Sequence, residues 1–348
     1  MTFETNVRLA VIGAGLIGSR HAEAAMLTQG VTLASIADPS AAGKSVAEGY
    51  GVDHYTSLQE LIAEDKPDGI VLATPNQLHV ENTLECIEAG LPTLIEKPLA
   101  VSLDGARKIV DAGKAAGVPL LTGHHRRHNP LIARAKSIIE EGQLGEITAV
   151  QGTTWFFKPD DYFNVDWRRR RGAGPVYLNL IHDIDMLRHL CGEVTEVHAM
   201  ESNAVRGNEV EETAVILLRF ENGTLGTVNV SDTVVAPWSW ELTARENPVY
   251  PATSELCYQI GGTKGSLSLP NLALWSHPEK QSWFEPISAT KVTFDFEDPL
   301  TRQLRQFAAV IRGTEAPLVS AAEGLKNQQV IEAVKRSAAS GDTVFLAD

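Results

Sequence analysis

Val7-Arg8-Leu9-Ala10-Val11-Ile12, followed at once by Gly13-Ala14-Gly15-Leu16-Ile17-Gly18, decides how the first third of this chain folds. The apolar run reads as a buried strand, and a helix-prone segment begins at Ser19. Together they give the strand, tight turn and helix of a dinucleotide-binding βαβ unit. Gly13 lets the chain turn, Gly15 lets a pyrophosphate approach the backbone, and Gly18 lets the helix pack closely on the strand. The N–H groups of the helix start, at Leu16 and Ile17, then face the phosphates. A second apolar run, Val31-Thr32-Leu33-Ala34-Ser35-Ile36-Ala37, ends in Asp38, twenty residues past Gly18. A carboxylate there accepts hydrogen bonds from the adenosine ribose hydroxyls and repels a 2′-phosphate, which favours NAD over NADP. The competing reading of Asp38-Pro39-Ser40 is a turn and helix cap.

The alternation continues outward from this unit. Ser57 to Asp65 reads as a helix and Gly69 to Thr74 as a buried strand; Asn76 looks like an N-cap for a helix that Gly90 stops. Pro92 to Glu96 is the next strand, Leu103, Ala106, Ile109 and Val110 mark a helix closed by Gly117, and Pro119 to Gly123 completes the series. Repeated strand–helix alternation implies a parallel, doubly wound α/β sheet, a Rossmann domain over residues 1–123.

After Gly123 the pattern changes. A helix is expected from Asn129 to Glu141, then strands over 147–157, 194–201, 213–220 and 224–231, with Asn222-Gly223 as a two-residue hairpin signal. One helix is inserted at about 174–191. Consecutive strands imply a second, α+β domain over 124–348, built on a large, mostly antiparallel sheet. The end is helical: Asp298-Pro299 is a cap with proline at the first helical position, and Ser320 with Glu323 is a capping box. The ligand cleft is expected between the two domains.

The 348 residues carry 43% apolar and 21% charged side chains, ordinary for a soluble globular protein. No apolar run is long enough to span a bilayer, and residues 1–6 lack a signal peptide's basic and apolar regions. Cys86, Cys191 and Cys257 form no CxxC pair, which fits a reducing cytoplasm rather than a disulfide framework. A net charge of −14 argues against nucleic acid as the main partner, without excluding an anionic small molecule in a local basic pocket.

In an open parallel sheet, ligands bind at the carboxyl ends of the strands. Thr74-Pro75-Asn76 with His79, and Glu96-Lys97-Pro98, are therefore expected at the cofactor edge. A lysine directly after a buried strand suits proton transfer, against the alternative of a surface lysine beside a proline turn. His124-His125-Arg126-Arg127-His128 follows the last strand of the first domain; a metal site there lacks carboxylate or cysteine partners. Four arginines, Arg168 to Arg171, form either a solvated loop or a subunit contact, or place Arg168 as a clamp for a carboxylate, sulfonate or phosphate.

The combination GAGLIG, ATPNQLH, EKP and NLIHDID, with PLVS and VIEAVKRSAASG near the end, resembles the Gfo/Idh/MocA oxidoreductases, which include inositol dehydrogenases and glucose–fructose oxidoreductase. The likeness covers nearly the whole chain. It implies NAD(P) in the first domain and hydride transfer to or from a secondary hydroxyl of a sugar, cyclitol or related polyol. It also implies a homodimer or homotetramer assembled through the open face of the second sheet. By this resemblance Lys97 matches the catalytic lysine and His182 the histidine that exchanges the hydroxyl proton. His125 and Arg126 lie near nicotinamide and substrate, and Asp185 matches a polar position near the substrate. The family's usual motif has Asp four residues before the histidine; this chain has Leu178 there, with Asn179 at the next position. An amide can orient His182 or bind substrate but supplies no charge. Two further readings keep the fold: an NAD-retaining enzyme that cleaves glycosides through transient oxidation, and a cofactor-sensing regulator without turnover.

Overall fold

Strand β1 (Val7–Ile12) is buried at every position but Arg8, so it needs neighbours on both sides and cover on both faces. The computed structural model, which describes residues 6–346, supplies both. Parallel to β1 lie β2 (Val31–Ala37) and β4 (Gly69–Leu72). With β3 (Asp53–Tyr55), β5 (Thr93–Ile95) and β6 (Leu120–Thr122) they form an all-parallel sheet in the order β3-β2-β1-β4-β5-β6. The strand order reverses between β1 and β4, the place where such sheets open a ligand crevice beyond the strand ends.

The connecting helices are α1 (Leu16–Leu27), α2 (Ala41–Tyr50), α3 (Leu58–Glu64), α4 (His79–Glu88) and α5 (Leu103–Ala116). Serine hydroxyls cap three of them: Ser40 accepts from Gly43 N–H, Ser57 from Glu60 N–H and Ser102 from Gly105 N–H. Left-handed Gly51 and Gly117 close α2 and α5.

The described residues up to Asn129 form one compact unit together with Glu297–Gln328; Pro130–Phe296 and the chain from Gln329 onward form the other. This differs from the single division expected after residue 123. Apolar packing explains it. Helix α9 (Pro299–Ile311) is capped by Asp298 Oδ1 on Leu300 N–H. Its stripe of Leu300, Leu304, Phe307 and Ala308 is buried in the same core as Leu9, Val11 and Leu33. The Thr122 N–H at the end of β6 also donates to Val319 O, 3.0 Å away.

The second unit contains α6 (Pro130–Glu140), α7 (Ile181–Cys191), the single turn α8 (Trp240–Thr243) and the later part of α10 (Ala321–Ser340). Its sheet comprises β7 (Ile147–Trp155), β8 (Val194–Ser202), β9 (Thr213–Phe220), β10 (Leu225–Ser231), β11 (Tyr258–Gly262), β12 (Gly265–Leu269), β13 (Ala273–Ser276), β14 (Ser288–Lys291) and β15 (Val344–Phe345). The nine strands run in the order β14-β13-β12-β11-β7-β10-β9-β8-β15 and are antiparallel except for β7 with β10. β9 shows why the sheet has one dry face: Ala214, Ile216, Leu218 and Phe220 are buried, while Val215, Leu217 and Arg219 face outward. Leu131, Ile132, Ile184, Leu187, Val330 and Val334 cover the dry face. Asn222-Gly223 turns β9 into β10, with Gly223 at φ +86°.

The helix expected at about 174–191 is composite. A π turn, Val176–Leu180, runs into α7. The wider turn begins where Glu211 Oε1 accepts Val176 N–H at 2.9 Å, and a Cβ at Gly174 would lie only 2.0 Å from that oxygen. Among the described residues no helix is long and apolar enough to cross a membrane.

Phe307 is fully buried in the first unit's core. Phe307→Ala is expected to cost about 3–5 kcal/mol in urea denaturation, whereas exposed Leu27→Ala costs about 0.5 kcal/mol or less. Equal losses would contradict the packing of α9 against this sheet.

Candidate active site

Three glycines shape the turn after β1 for different reasons. Gly13 has φ +89°, and a Cβ there would meet Ala73 O at 2.5 Å. A Cβ at Gly18 would come within 1.8 Å of Gly13 O. Gly15 is the opposite case: its Cβ would meet no atom within 4 Å. The space it leaves open lies over the N-terminus of α1, where Gly15 is the N-cap and no side chain caps the helix. That combination of open space, free helix terminus and absent side chain fits a pyrophosphate, with Leu16 and Ile17 supplying the first-turn N–H groups.

Asp38 stands at the end of β2 and does two jobs. Its Oδ2 accepts Ala14 N–H at 2.8 Å, tying the glycine turn to β2, and Oδ1 accepts Ser40 N–H at 2.8 Å and the Ser40 hydroxyl. Burial alone would raise its pKa; the Ser40 and Ala14 hydrogen bonds outweigh that and hold the carboxyl below its ordinary value. An ionised carboxylate has about four acceptor positions, and with three taken, on the order of one is left for a ribose hydroxyl. The cap reading and the ribose reading of Asp38 are therefore compatible. Gly13, Gly15, Gly18 and Asp38 make a cradle whose shape fits NAD.

The ends of β4 and β5 lie on the same sheet edge as this turn, because the strands are parallel. Thr74 and Pro75 follow β4 there, and Thr74 Oγ1 lies 3.3 Å from Asn82 Oδ1. Asn76, expected as a cap, instead opens a 3₁₀ turn, Asn76–Leu78, that leads into α4. His79 does not line a cofactor surface as expected. Its ring is wholly buried, with Nδ1 2.9 Å from Pro98 O and Nε2 3.0 Å from Thr74 O. Burial presses its pKa down against the two carbonyl contacts, which favour the protonated ring. His79 thus straps the β4 end to the loop that carries Lys97.

Glu96 also turns inward. Its Oε1 accepts from His21 Nε2 at 2.7 Å and its Oε2 from Lys97 N–H at 3.1 Å. Burial would raise its pKa, but the His21 hydrogen bond and the charges of His21 and Lys97 hold it at about 2. Lys97, one residue further, is only half-buried. Beyond β6, His125 is half-buried, and Arg126 and Arg127 are buried in a 3₁₀ turn, His125–His128. Arg127 pairs with Glu323 Oε2 at 3.0 Å.

In the second unit, His182 and Asp185 lie in the first turns of α7, both buried. Asp183 between them is wholly buried; it accepts from Thr154 Oγ1 at 2.7 Å and from the Tyr258 hydroxyl. These bonds fix the start of α7 to β7 and β11. Asn179 sits on the π turn with its Oδ1 buried and without a hydrogen-bond partner among the described residues. Arg168 is folded onto its own loop: its guanidinium lies 4.1 Å from the Tyr162 ring centroid and donates to Tyr162 O at 3.0 Å. Arg169 and Arg170 pair with Asp166, and Arg170 also with Glu209. Two of the four arginines are thus ion-paired within their own neighbourhood, and Arg168 is held by its own loop. Sequence reasoning missed His21, Asp183, Tyr258 and Glu211. His21 alone carried a signal, being a polar residue three positions beyond Gly18 on the inward face of α1.

The Glu96 carboxyl makes stability depend on pH. Its folded pKa of about 2 lies below the ordinary 4.5, so the stability it contributes is full above pH 4.5 and is lost as pH falls toward 2. The stability difference between wild type and Glu96→Gln, from urea denaturation across pH, is expected to shrink through that window. A difference independent of pH would contradict the ionised, bonded state.

Comparison with known proteins agrees with this geometry. Residues 7–124 match the family described as an oxidoreductase family with an NAD-binding Rossmann fold, and residues 132–268 match the GFO/IDH/MocA C-terminal domain. The rhizopine catabolism protein MocA of Rhizobium meliloti is 30% identical over 65% of this chain and 71% of its own length. The 1,5-anhydro-D-fructose reductase of Ensifer adhaerens is 28% identical over 96% of this chain and 97% of its own. The WlbA dehydrogenase from Bordetella pertussis, solved in complex with NADH and UDP-GlcNAcA, superimposes with a TM-score of 0.79 at 25% identity, covering 99% of each chain. A glycine cradle, a buried EKP carboxylate and matches over both domains converge: the chain belongs to the Gfo/Idh/MocA family of NAD-binding oxidoreductases.

Proposed function

We propose that this protein oxidises a secondary hydroxyl of a sugar, cyclitol or sugar derivative, or reduces the corresponding ketone. The observation that carries the reading is the placement of Lys97. It stands two residues beyond a buried strand, on the sheet edge that holds the glycine turn, with its main chain held by Glu96. The bound NAD supplies the hydride acceptor. Lys97 supplies a cation that stabilises negative charge growing on the substrate oxygen, and His182 is the group that takes the hydroxyl proton. Asn179 and Asp185 offer the hydrogen bonds that orient a polyol, and His125 and Arg126 complete the polar lining.

Leu178 leaves His182 without the carboxylate that the family places four residues earlier. An amide at 179 cannot raise the basicity of the imidazole, because it carries no charge. Lys97 accordingly takes the larger share of the catalysis.

A panel of sugars, cyclitols and sugar acids incubated with NAD, followed by NADH absorbance, identifies the substrate. With it, Lys97→Ala is expected to lower kcat by about 10³-fold or more, His182→Ala by about 10²-fold, and Asn179→Ala by about tenfold. Full activity in Lys97→Ala would contradict the proposal. Glycoside cleavage without added NAD would favour the NAD-retaining alternative instead.

A further inference from the structure

We propose that His21 is a positioning residue for Lys97, acting through the buried carboxylate of Glu96 to fix the backbone from which the lysine projects. The inference rests on the reading of Lys97 given above.

β5 ends at Ile95, so the chain leaves the sheet just as it reaches the lysine. Glu96 N–H still has a strand partner, Leu72 O at 2.9 Å. Lys97 N–H has moved beyond the ladder, and the Glu96 carboxylate takes it instead, at 3.1 Å. For that bond to hold a geometry, the carboxylate itself must be held. Two features hold it. Gly123 leaves room for it, since a Cβ there would sit 2.8 Å from Oε1. His21 then anchors Oε1 at 2.7 Å. An ionised carboxylate only accepts hydrogen bonds, so Nε2 of His21 is the donor whatever the charge on the ring.

His21 is fully buried and its Nδ1 has no hydrogen-bond partner in the structure. A buried imidazole that satisfies one nitrogen and leaves the other unpaired is a poor choice for packing alone, because an apolar side chain would avoid the desolvation cost. The bond to Glu96 is what the residue offers. On the far side of Lys97, Pro98 O is contacted by His79 Nδ1 at 2.9 Å. Buried histidines therefore bracket the lysine, one through a side chain and one through a carbonyl. Both lie behind the site, where they touch neither open space nor solvent.

Three substitutions separate this role from packing. In His21→Gln the amide nitrogen reaches about as far as Nε2 and still donates to Glu96, with no charge. In His21→Asn the amide falls short, and His21→Leu has no donor. With the polyol of the panel that gives the fastest NADH formation, His21→Leu and His21→Asn are expected to lower kcat about tenfold or more. The KM for the polyol and the NAD affinity by fluorescence titration should stay within about threefold, and His21→Gln should recover to within about threefold of wild type. A readout without substrate accompanies this: acetylation of Lys97 by an N-hydroxysuccinimide ester, followed on its peptide by mass spectrometry. It should speed up about threefold in the Leu and Asn variants, with exposed Lys114 as the internal reference, and not in the Gln variant. If His21→Leu does not fold, the Asn and Gln pair decides. Equal kcat and equal labelling in Asn and Gln, or wild-type kcat in Leu, would overturn the inference. Lys97→Ala is measured alongside: full turnover in it removes the reading of Lys97 and this inference together. Loss of turnover there, with wild-type behaviour in His21→Leu and His21→Asn, removes the inference alone.

Discussion

The approach of α1 to β1 is the constraint on which the first unit depends. Any side chain at Gly18 would occupy the position of Gly13 O, 1.8 Å from its Cβ. The hydrogen at that position lets the helix settle onto the strand, and two consequences follow from the one contact. The N-terminus of α1 is brought to the sheet edge with open space over Gly15. One turn further along the helix, His21 is brought against Glu96 at the end of β5. Cofactor cradle and lysine loop thus share one helix, since α1 carries both the glycine-turn packing and the His21 contact to Glu96. The link runs from a missing Cβ, through packing, to the backbone geometry at Lys97.

Several polar side chains in this unit hold loops in place. His79 joins Thr74 O and Pro98 O, Asp38 joins β2 to the glycine turn, and Glu96 joins His21 to Lys97 N–H. All but the His21–Glu96 bond supply a partner to a main-chain group outside the sheet ladder, where an orphan would cost about 1–3 kcal/mol. The second unit uses the same device. Asp183 ties the start of α7 to Thr154 and Tyr258, and Glu211 meets Val176 N–H while its other oxygen pairs with Lys335 Nζ at 2.5 Å. The helix that carries His182 is therefore held at its first turn by side chains from two strands, β7 and β11, and the π turn before it by Glu211 from the loop before β9.

Much of this was legible in the sequence because local rules govern it. The glycine turn, the parallel alternation, the Asn222-Gly223 hairpin and the Asp298-Pro299 start of α9 are each set by a few adjacent residues. What escaped depends on distant partners. β11 to β14 contain Gly261, Gly262, Gly265 and several serines, too weak a pattern to read as strands without the neighbours that complete the ladder. The domain division was misplaced because the apolar stripe of α9 shows that it must be buried but not against which sheet. The sequence places His79 and Glu96 beside the strand ends but not the direction of their side chains, since whether a side chain faces outward or into the core depends on residues such as His21, seventy-five positions away from Glu96. The π turn before α7 depends in the same way on Glu211, thirty-five residues beyond Val176.

The most direct test is to restore the missing side chain at the contact itself. Isothermal titration of Gly18→Ala with NAD measures whether the close approach of α1 sets the cradle. If it does, the helix must move off the strand to accommodate the methyl group, and NAD affinity falls by about a hundredfold, close to 3 kcal/mol. Affinity within about threefold of wild type, in a folded variant, would show that cradle and helix position are independent and would contradict the account.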